Sequence, residues 1–540
     1  MLQVLTFTLF FLSAITSSFG ATIAIIDTGF DLDHDFLKPK LSQSESEMEA
    51  FDGWNFHDNS HLKKSVIEDP SSFQEILLYR NLKAKGHREG LSMEEFDWYK
   101  KKSADKDFMD KVKRFKKHAH GTFVAGIALR EGENINIFPI RGLNLPNPVL
   151  AVEVSGTEGQ VPLKGKTKEE KFQSEIKNSL DRVTRKFTKI CRYLSLKNVE
   201  VVNASYGITH KNVISKFRDK YKEIVGVEID DQKLETLVNN YFDELYRKGE
   251  KTIKRYPKIL FVFSAGNSGL SNDLYHHYPS RIKLPNTITV AAMNGEYLAS
   301  FSNYGIKNVD IGAPGVAILS LVPKVYSKGG AELYSPSSGT SMAAPYISNI
   351  AAQILNANPK LSPEEIRQII LGTGDEKPQL KNVLSSGSAV NNHKAVKAAL
   401  LSKDMKLNDA IYFAKLNLFP MEDEIKTGLS RPATPESLQD KVLDVIPKPV
   451  LPQEVEEEPS LLEDVPTKSE SSSQKNLEKA QPDKSSPPPS TVPESPAIPV
   501  DPNPSSQIEE QSPTPSEETP ASSSLPQPSR PEDPAPQPSP

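Results

Sequence analysis

Three short segments of the sequence carry side chains with complementary chemistry. Asp27 lies in IIDTGF, His120 opens HGTFVAG, and Ser341 lies in GTSMAAP. A serine hydroxyl becomes a useful nucleophile when a histidine takes its proton, and a carboxylate fixes the tautomer of that histidine and stabilises its protonated form. Each residue alone would be a turn residue, a structural histidine or a helix N-cap. Together they supply the three groups that a serine nucleophile requires.

A fourth segment, FSAGNSG, carries Asn267. The side-chain amide of an asparagine can donate a hydrogen bond to an oxyanion, and loss of one such donor typically lowers a rate about 10²- to 10³-fold. Ser341 is expected at the start of a helix, where free N–H groups and the positive end of the helix dipole favour negative charge. Pro345 is expected in the first turn of that helix, where its missing N–H costs little. Asn267 alone would be a simple turn residue.

The elements that must position these groups alternate between strand and helix. Apolar runs separated by helices predict an α/β fold, with a mainly parallel central sheet covered on both faces. Functional groups then gather at the carboxyl ends of the strands. We expect strands at 22–27, 135–140, 200–204, 259–264 and 287–291, and helices at 122–129, 173–196, 232–247 and 341–357.

In this order the segments resemble the subtilisin-like serine proteases, the subtilases of the peptidase S8 family. The resemblance also includes GWNF, VVNASYG, FSNYG and IGAPGVAILS, and it covers roughly residues 21–401 apart from two inserts. It implies a subtilisin-like three-layer fold and a serine endopeptidase that forms an acyl-enzyme on Ser341. Asp27, His120 and Ser341 would be the triad, and Asn267 would be the oxyanion donor. His118 lacks the Gly-Thr that follows His120, so we expect it to play no such part.

The resemblance further implies how a peptide would bind. One segment would bind the substrate as an added strand, and a second would line the primary specificity pocket. The neighbouring pockets are not predicted, because Tyr206 is larger than the usual family residue. These predicted substrate-binding residues are Ser205, Tyr206 and Gly207 in the first segment, and Ala265 and Gly266 in the second.

Proteins or peptides are the partners that this interpretation implies, and we expect a monomer. Basic stretches such as 111–117 (KVKRFKK) have helical spacing and predict a solvated helix face, so no nucleic acid is expected. No metal or other cofactor is predicted, because the loops that hold structural calcium in the family find no match. No pro-domain of the kind usual in the family fits before the first strand.

Composition divides the chain unevenly. Residues 431–540 contain 26 of the 43 prolines and no aromatic residue, with 20 acidic and 8 basic side chains. Their net charge of −12 leaves +7 for the rest of a chain whose total is −5. Such a segment cannot bury enough apolar surface to offset its ordering entropy. We therefore expect a peptidase domain at 21–405, a junction at 406–430 and a disordered tail at 431–540, whose partner is unknown.

The N-terminal residues 1–20 have an uncharged apolar run followed by small residues, which is typical of a signal peptide. The alternative is an uncleaved membrane anchor, for which the run is short. Cys191 is the sole cysteine, so no intrachain disulfide can form. Export without disulfides favours a secreted protein or one of the bacterial envelope or periplasm.

Two inserts, at about 60–117 and 144–170, interrupt the pattern. The first could be a helical flap that narrows the cleft, or a surface elaboration; the sequence leaves both open. Two other functions compete with the endopeptidase. A sedolisin-type carboxyl peptidase would have a Ser-Glu-Asp site, against which HGT and SAGN argue. The other alternative is an inactive subtilase scaffold that binds a partner through its tail. The sequence argues against it, because no position of the triad is substituted.

Overall fold

The computed structural model describes residues 20–42, 53–56, 59–62, 73–88, 90–142, 163–326 and 334–416. Residues 1–19 of the predicted signal peptide, most of the insert predicted at 144–170 and the predicted tail at 431–540 lie outside the described residues.

A large, mainly parallel sheet forms the centre of the described domain, and it confirms the predicted α/β class. Its strand order is β13-β14-β10-β8-β6-β4-β1-β3-β2, with β9 paired to β8. The β8–β9 and β13–β14 pairs are antiparallel, and the other neighbours are parallel. The strands are β1 (Ala21–Asp27), β2 (Trp54–Asn55), β3 (Ile135–Arg141), β4 (Val201–Ala204), β6 (Leu260–Ser264), β8 (Thr287–Asn294), β9 (Tyr297–Leu298), β10 (Ile311–Pro314), β13 (Asp375–Glu376) and β14 (Ser388–Ala389).

Two small antiparallel sheets of two strands each lie outside this large sheet, and the second of them is a hairpin. One joins β5 (Ile208–Thr209) to β7 (His277–Tyr278), and the other joins β11 (Ile318–Leu321) to β12 (Tyr334–Ser337).

Helices cover both faces of the sheet. The described α-helices are α1 (Phe73–Arg88), α2 (Met93–Ser103), α3 (Lys106–Ala128), α4 (Lys168–Leu196), α5 (His210–Val225), α6 (Asp231–Ile253), α7 (Thr340–Ala357), α8 (Pro363–Gly372), α9 (Asn392–Leu401) and α10 (Leu407–Leu416).

The residues of β1 show how the two layers arise. Ile23 and Ile25 pack into one apolar cluster with α3, α7, α8 and α9, whereas Ala24 and Ile26 pack into the other with α4, α5 and α6. Successive side chains of a strand point to opposite faces. A strand covered on both faces is therefore apolar at nearly every position, and this pattern made it recognisable in the sequence.

The helix that carries His120 begins earlier than predicted. The expected helix at 122–129 is the end of α3, so His120 lies in a helix interior and not at a helix mouth. The side chain of Asp105 caps α3 by accepting a hydrogen bond from the Phe108 N–H at 3.0 Å. Gly121 within a helix is unfavourable by about 1 kcal/mol relative to alanine. Close packing of Gly121 against the carbonyl oxygen of Gly29 explains why it is tolerated.

The folded domain also extends past residue 405, where the sequence predicted a junction. Helix α10 lies within that predicted junction, and Ala410 and Ala414 on one of its faces are buried. Helix α10 is short, so too few apolar residues recur at helical spacing to predict it from the sequence.

Across the described ranges, no helix is both long enough and apolar enough to cross a membrane.

Candidate active site

Asp27 and His120 form a buried pair. The Nδ1 atom of His120 lies 2.9 Å from Oδ1 and 2.8 Å from Oδ2 of Asp27. Asp27 Oδ1 also accepts from the Thr28 N–H at 2.7 Å and from the Thr28 hydroxyl at 3.0 Å. A carboxylate on Nδ1 requires the proton there, so Nε2 is the atom that can accept a proton.

Gly121 allows this pair to form. A Cβ atom at Gly121 would lie 2.1 Å from the carbonyl oxygen of Gly29 and 3.1 Å from the Cβ of Asp27. Helix α3 therefore approaches the end of β1 more closely than any side chain would permit. Thr122 secures the same loop, because its hydroxyl accepts a hydrogen bond from the Asp31 N–H at 2.8 Å. Gly121 and Thr122 of the HGT motif thus allow α3 to pack closely against the end of β1 and the loop that follows it.

Ser341 is the second residue of α7, whose N-cap is Gly339. Its hydroxyl donates to the main-chain carbonyl of Ser205 at 3.3 Å. In turn, the Ser205 hydroxyl donates to the main-chain carbonyl of Ser341 at 3.0 Å. The prediction that Pro345 lies in the first turn of this helix is wrong, because Pro345 lies further inside α7. A helix interior normally supplies an N–H to the carbonyl four residues earlier, which here is that of Ser341.

The side-chain oxygen of Asn267 is held by the start of α7. Asn267 Oδ1 accepts from the Thr340 N–H at 2.8 Å and from the Thr340 hydroxyl at 3.0 Å. The Thr340 hydroxyl accepts in turn from the Gly266 N–H at 3.1 Å. Because Oδ1 is engaged with two donors, the NH₂ group of Asn267 is directed away from Thr340. A donor fixed in this way needs no reorganisation when negative charge develops near it.

The sheet brings these groups to one edge. The parallel β1–β4 register pairs Ile25 with Asn203, so that Asp27 and Ser205 follow side by side at the carboxyl ends of their strands. Asn267 follows the end of β6, the neighbour of β4. Strand β1 thus holds His120 through Asp27, while the residues that follow β4 and β6 hold the start of α7.

Comparison with known proteins identifies the family of this chain. The profile of the Subtilase family matches residues 18–394, which is most of the chain. The chain belongs to the subtilase family. This confirms the resemblance inferred from the motifs.

Several curated proteases share part of this subtilase's sequence. Subtilisin-like protease 2 of Plasmodium falciparum (isolate 3D7) is 32% identical over 29% of this chain and 12% of its own length. Serine protease AprX of Bacillus subtilis (strain 168) is 39% identical over 26% of this chain and 35% of its own. The chain thus spans well under two thirds of the length of these relatives. A crystal structure of a lanthipeptide protease matches with a TM-score of 0.41 and 18% identity, over 70% of this chain and 87% of that one.

The loop from Ala265 to Asn267 in this subtilase is held by two buried asparagines that the sequence analysis did not identify. Asn272 Nδ2 donates to the Ala265 carbonyl at 2.7 Å, and the Asn303 N–H donates to the Gly266 carbonyl at 2.8 Å. Asn303 Nδ2 donates to Asn272 Oδ1 at 2.9 Å. Asn303 lies in the FSNYG segment, so its position in a family motif was the available signal.

Two predicted pocket residues, Ala265 and Gly266, adjoin this network. Gly266 has φ of +109°, and a Cβ atom there would lie 2.5 Å from Asn303 Nδ2 and 2.9 Å from His277 Nε2. No other residue fits this backbone conformation and this contact without strain. His277 therefore lies directly behind the predicted pocket wall.

Tyr206 differs from the other predicted substrate-binding residues. Its side chain packs in the apolar cluster beneath α4, α5 and α6, and this burial raises the pKa of the phenol. Ser205 and Gly207 are buried as well, and the strand that follows, β5, pairs with β7. The Tyr206 ring thus belongs to the core, and this segment can offer a substrate main-chain groups more readily than the Tyr206 side chain.

His118 lies on α3 two residues before His120, turned to another side of the helix. Its ring makes an edge contact with Tyr326, with centroids 5.8 Å apart. Burial lowers its pKa below the usual histidine value, which the negative charge of Asp31 opposes in part. Its surroundings therefore favour the neutral ring, and of these two histidines it is His120 whose ring contacts Asp27.

Within the described ranges, no group of three or more His, Cys, Asp or Glu side chains is placed to hold a metal ion. The single cysteine, Cys191, is buried in α4, and burial raises the pKa of its thiol.

Proposed function

We propose that this subtilase is a serine endopeptidase that hydrolyses peptide bonds in proteins. In this proposal Asp27, His120 and Ser341 act as the triad, and Asn267 stabilises the oxyanion. The observation that carries the proposal is the buried Asp27–His120 pair, in which Nε2 of His120 accepts no hydrogen bond from the described residues. That atom is therefore ready to accept the proton of a nucleophile.

The first step follows from the contacts of Ser341. Its hydroxyl donates to the Ser205 carbonyl, so rotation about its side-chain bond must redirect it toward His120 Nε2. His120 then takes the proton while Oγ attacks the scissile carbonyl carbon, and the carbonyl oxygen becomes an oxyanion. The buried Asp27 carboxylate stabilises the imidazolium that forms.

The remaining steps return the enzyme to its starting state. The oxyanion receives a hydrogen bond from the NH₂ group of Asn267, which Thr340 orients through Oδ1. The intermediate collapses, His120 gives its proton to the leaving amine, and an ester on Ser341 remains. Water, deprotonated by His120, then attacks the ester, releases the carboxylic acid and regenerates the hydroxyl.

Labelling with a fluorophosphonate tests the proposal. The wild-type protein should form one phosphonyl adduct, located on Ser341 by peptide mapping, and should hydrolyse casein. Ser341→Ala should keep its circular dichroism spectrum and lose both reactions, with turnover reduced by more than about 10⁴-fold. A folded wild-type protein that neither reacts with the probe nor cleaves casein would instead be the inactive scaffold that competes with this proposal.

We also propose that residues 1–20 direct export and that proteins or peptides are the substrates. Both proposals rest on the sequence. The structure does not bear on the first of them, because residues 1–19 lie outside the described residues. N-terminal sequencing of the protein recovered from the culture medium or cell envelope should begin at Ala21. A start at Met1 in a membrane fraction would support the anchor alternative.

A further inference from the structure

A buried arginine connects the first insert to the predicted catalytic elements. Arg80 on α1 is 9% exposed. Its Nε donates to the Ser335 hydroxyl at 3.1 Å, and its Nη2 donates to the Pro336 carbonyl at 3.0 Å. Both acceptors lie on β12, which ends four residues before Ser341. The insert therefore binds the strand that leads directly to the predicted nucleophile.

The same guanidinium also lies against the helix of His120. Its Cζ atom is 5.2 Å from the ring centroid of Phe115 and 5.9 Å from that of Phe123, both on α3. Phe123 follows His120 by three residues, close to one helical turn. Arg80 thus contacts both the helix that carries the predicted base and the strand that precedes the predicted nucleophile.

The β11–β12 hairpin has a second attachment to α3. Ser320 on β11 is the register partner of Ser335, and its hydroxyl donates to the Phe123 carbonyl at 2.7 Å. Arg80 and Phe123 therefore secure the hairpin at the same register position, one through each strand. The hairpin cannot shift along α3 without breaking a buried hydrogen bond.

The residues between the β11–β12 hairpin and Ser341 are held in place by further hydrogen bonds. The Ser338 hydroxyl accepts from the Ala317 N–H at 2.9 Å, and the Gly339 N–H donates to the Gly315 carbonyl at 2.8 Å. A displacement of β12 would therefore be transmitted to the start of α7. Residues 106–117 of the insert are also part of the helix that carries His120. The insert is thus continuous with the site and is not a separable flap.

We infer that Arg80 is a positioning residue that sets the distance between Ser341 and His120. The inference rests on the proposed function. His120 Nε2 and the Ser341 hydroxyl are not hydrogen-bonded to each other in this structure, so proton transfer depends on their close approach. Misplacement of reacting groups by about 1 Å can lower a rate about 100-fold.

Kinetics per titrated active site test this role. Arg80→Met keeps much of the side chain's length and removes the guanidinium with the N–H groups that donate to β12, whereas Arg80→Lys keeps the charge and an N–H donor. Arg114→Met, at an exposed position of α3, is the matched control. Each variant would first be titrated with a fluorophosphonate to count active sites, and kcat and KM for a peptide substrate would then be measured well below its Tm.

Arg80→Met should lower kcat per titrated site by about 10- to 100-fold with KM changed less than twofold. Arg80→Lys should recover part of this loss, and Arg114→Met should match the wild type. A loss confined to Tm or to the fraction of titratable sites, with kcat per site within twofold of wild type, would show that Arg80 serves stability alone and would overturn the inference.

If Arg80→Met does not fold, Arg80→Lys and Ser335→Ala decide the question. Ser335→Ala removes the acceptor for Nε, so both variants should lower kcat per site without raising KM. Unchanged kcat per site in both would overturn the inference. A wild-type protein that does not react with the fluorophosphonate would instead refute the proposed function, so the two failures are distinguishable.

Discussion

Ser205 and Ser341 hold each other through a reciprocal pair of hydrogen bonds. Each hydroxyl donates to the main-chain carbonyl of the other residue, at 3.0 Å from Ser205 and 3.3 Å from Ser341. Pro345 has no N–H to offer the Ser341 carbonyl, so the Ser205 hydroxyl takes the place of the missing helix donor. Asn203 Nδ2 fixes that hydroxyl by donating to it at 2.9 Å. The predicted nucleophile is thus anchored to the end of β4.

Ser205→Ala should lower the free energy of unfolding by about 1 kcal/mol, because the buried carbonyl of Ser341 loses its donor. Pro345→Ala would return a helix N–H to that carbonyl. In the Pro345→Ala background, Ser205→Ala should therefore be less damaging, although Asn203 loses its acceptor in both backgrounds. Urea unfolding of the four proteins measures this difference. If Ser205→Ala lowers the free energy of unfolding equally in the two backgrounds, the Ser205 hydroxyl does not take the place of the N–H that Pro345 lacks.

His120→Ala should reduce kcat/KM for a peptide by more than about 10³-fold, because among the residues that the structure describes no other group is placed to take the proton with support from Asp27. His118→Ala is the matched control on the same helix, and its kcat/KM should stay within about fivefold of wild type. Steady-state hydrolysis of one peptide by both variants gives the comparison. A larger loss in His118→Ala would reverse the assignment of the base.

Asn267→Ala should lower kcat by about 10²- to 10³-fold with KM nearly unchanged, because its donor meets charge that exists near the transition state. Thr340→Val should lower kcat less, since the Thr340 N–H still holds Asn267 Oδ1. Asn294→Ala, at an exposed position on β8, serves as the control. An effect of Asn267→Ala on KM alone would place this residue in ground-state binding.

His276 should make the fold less stable in mild acid. Arg281 Nη1 donates to its Nδ1 at 2.9 Å, and its Nε2 donates to Asn239 Oδ1 at 2.9 Å, so the ring is neutral. Burial, with smaller contributions from Arg281 and His210, lowers the pKa of His276 from 6.5 to about 4. The loss of hydration and the positive charge of Arg281 both disfavour its charged form.

Between these two pKa values the unfolded chain binds a proton that the native state excludes. The free energy of unfolding should therefore fall by up to about 1.4 kcal/mol per pH unit as the pH drops from 6.5 toward 4. His276→Gln should flatten this dependence, whereas His393→Gln, at an exposed position, should leave it intact. Urea unfolding at several pH values provides the measurement, and identical slopes in both variants would disprove the role of His276.

The strands were predictable because their burial on both faces is visible in the sequence. The expected strands at 22–27 and 259–264 agree with β1 and β6 within one residue at each end. Helix α5 was not predicted, because charged residues dilute its apolar face, whose buried members are Val213, Phe217 and Tyr221. The start of α3 was missed because Gly121 suggested a boundary, whereas tertiary contact with Gly29 explains that glycine.

The sequence by itself determined the family and the α/β class, and it predicted the four residues whose chemistry would define the candidate site. Those features depend on residue type and local order, which motifs record directly. The tertiary structure decided that Tyr206 belongs to the core, that Thr340 orients Asn267, and that Arg80 connects the insert to the strand before Ser341. Such contacts join residues far apart in the chain, and their partners are set by how helices pack on the sheet. No local pattern specifies that packing.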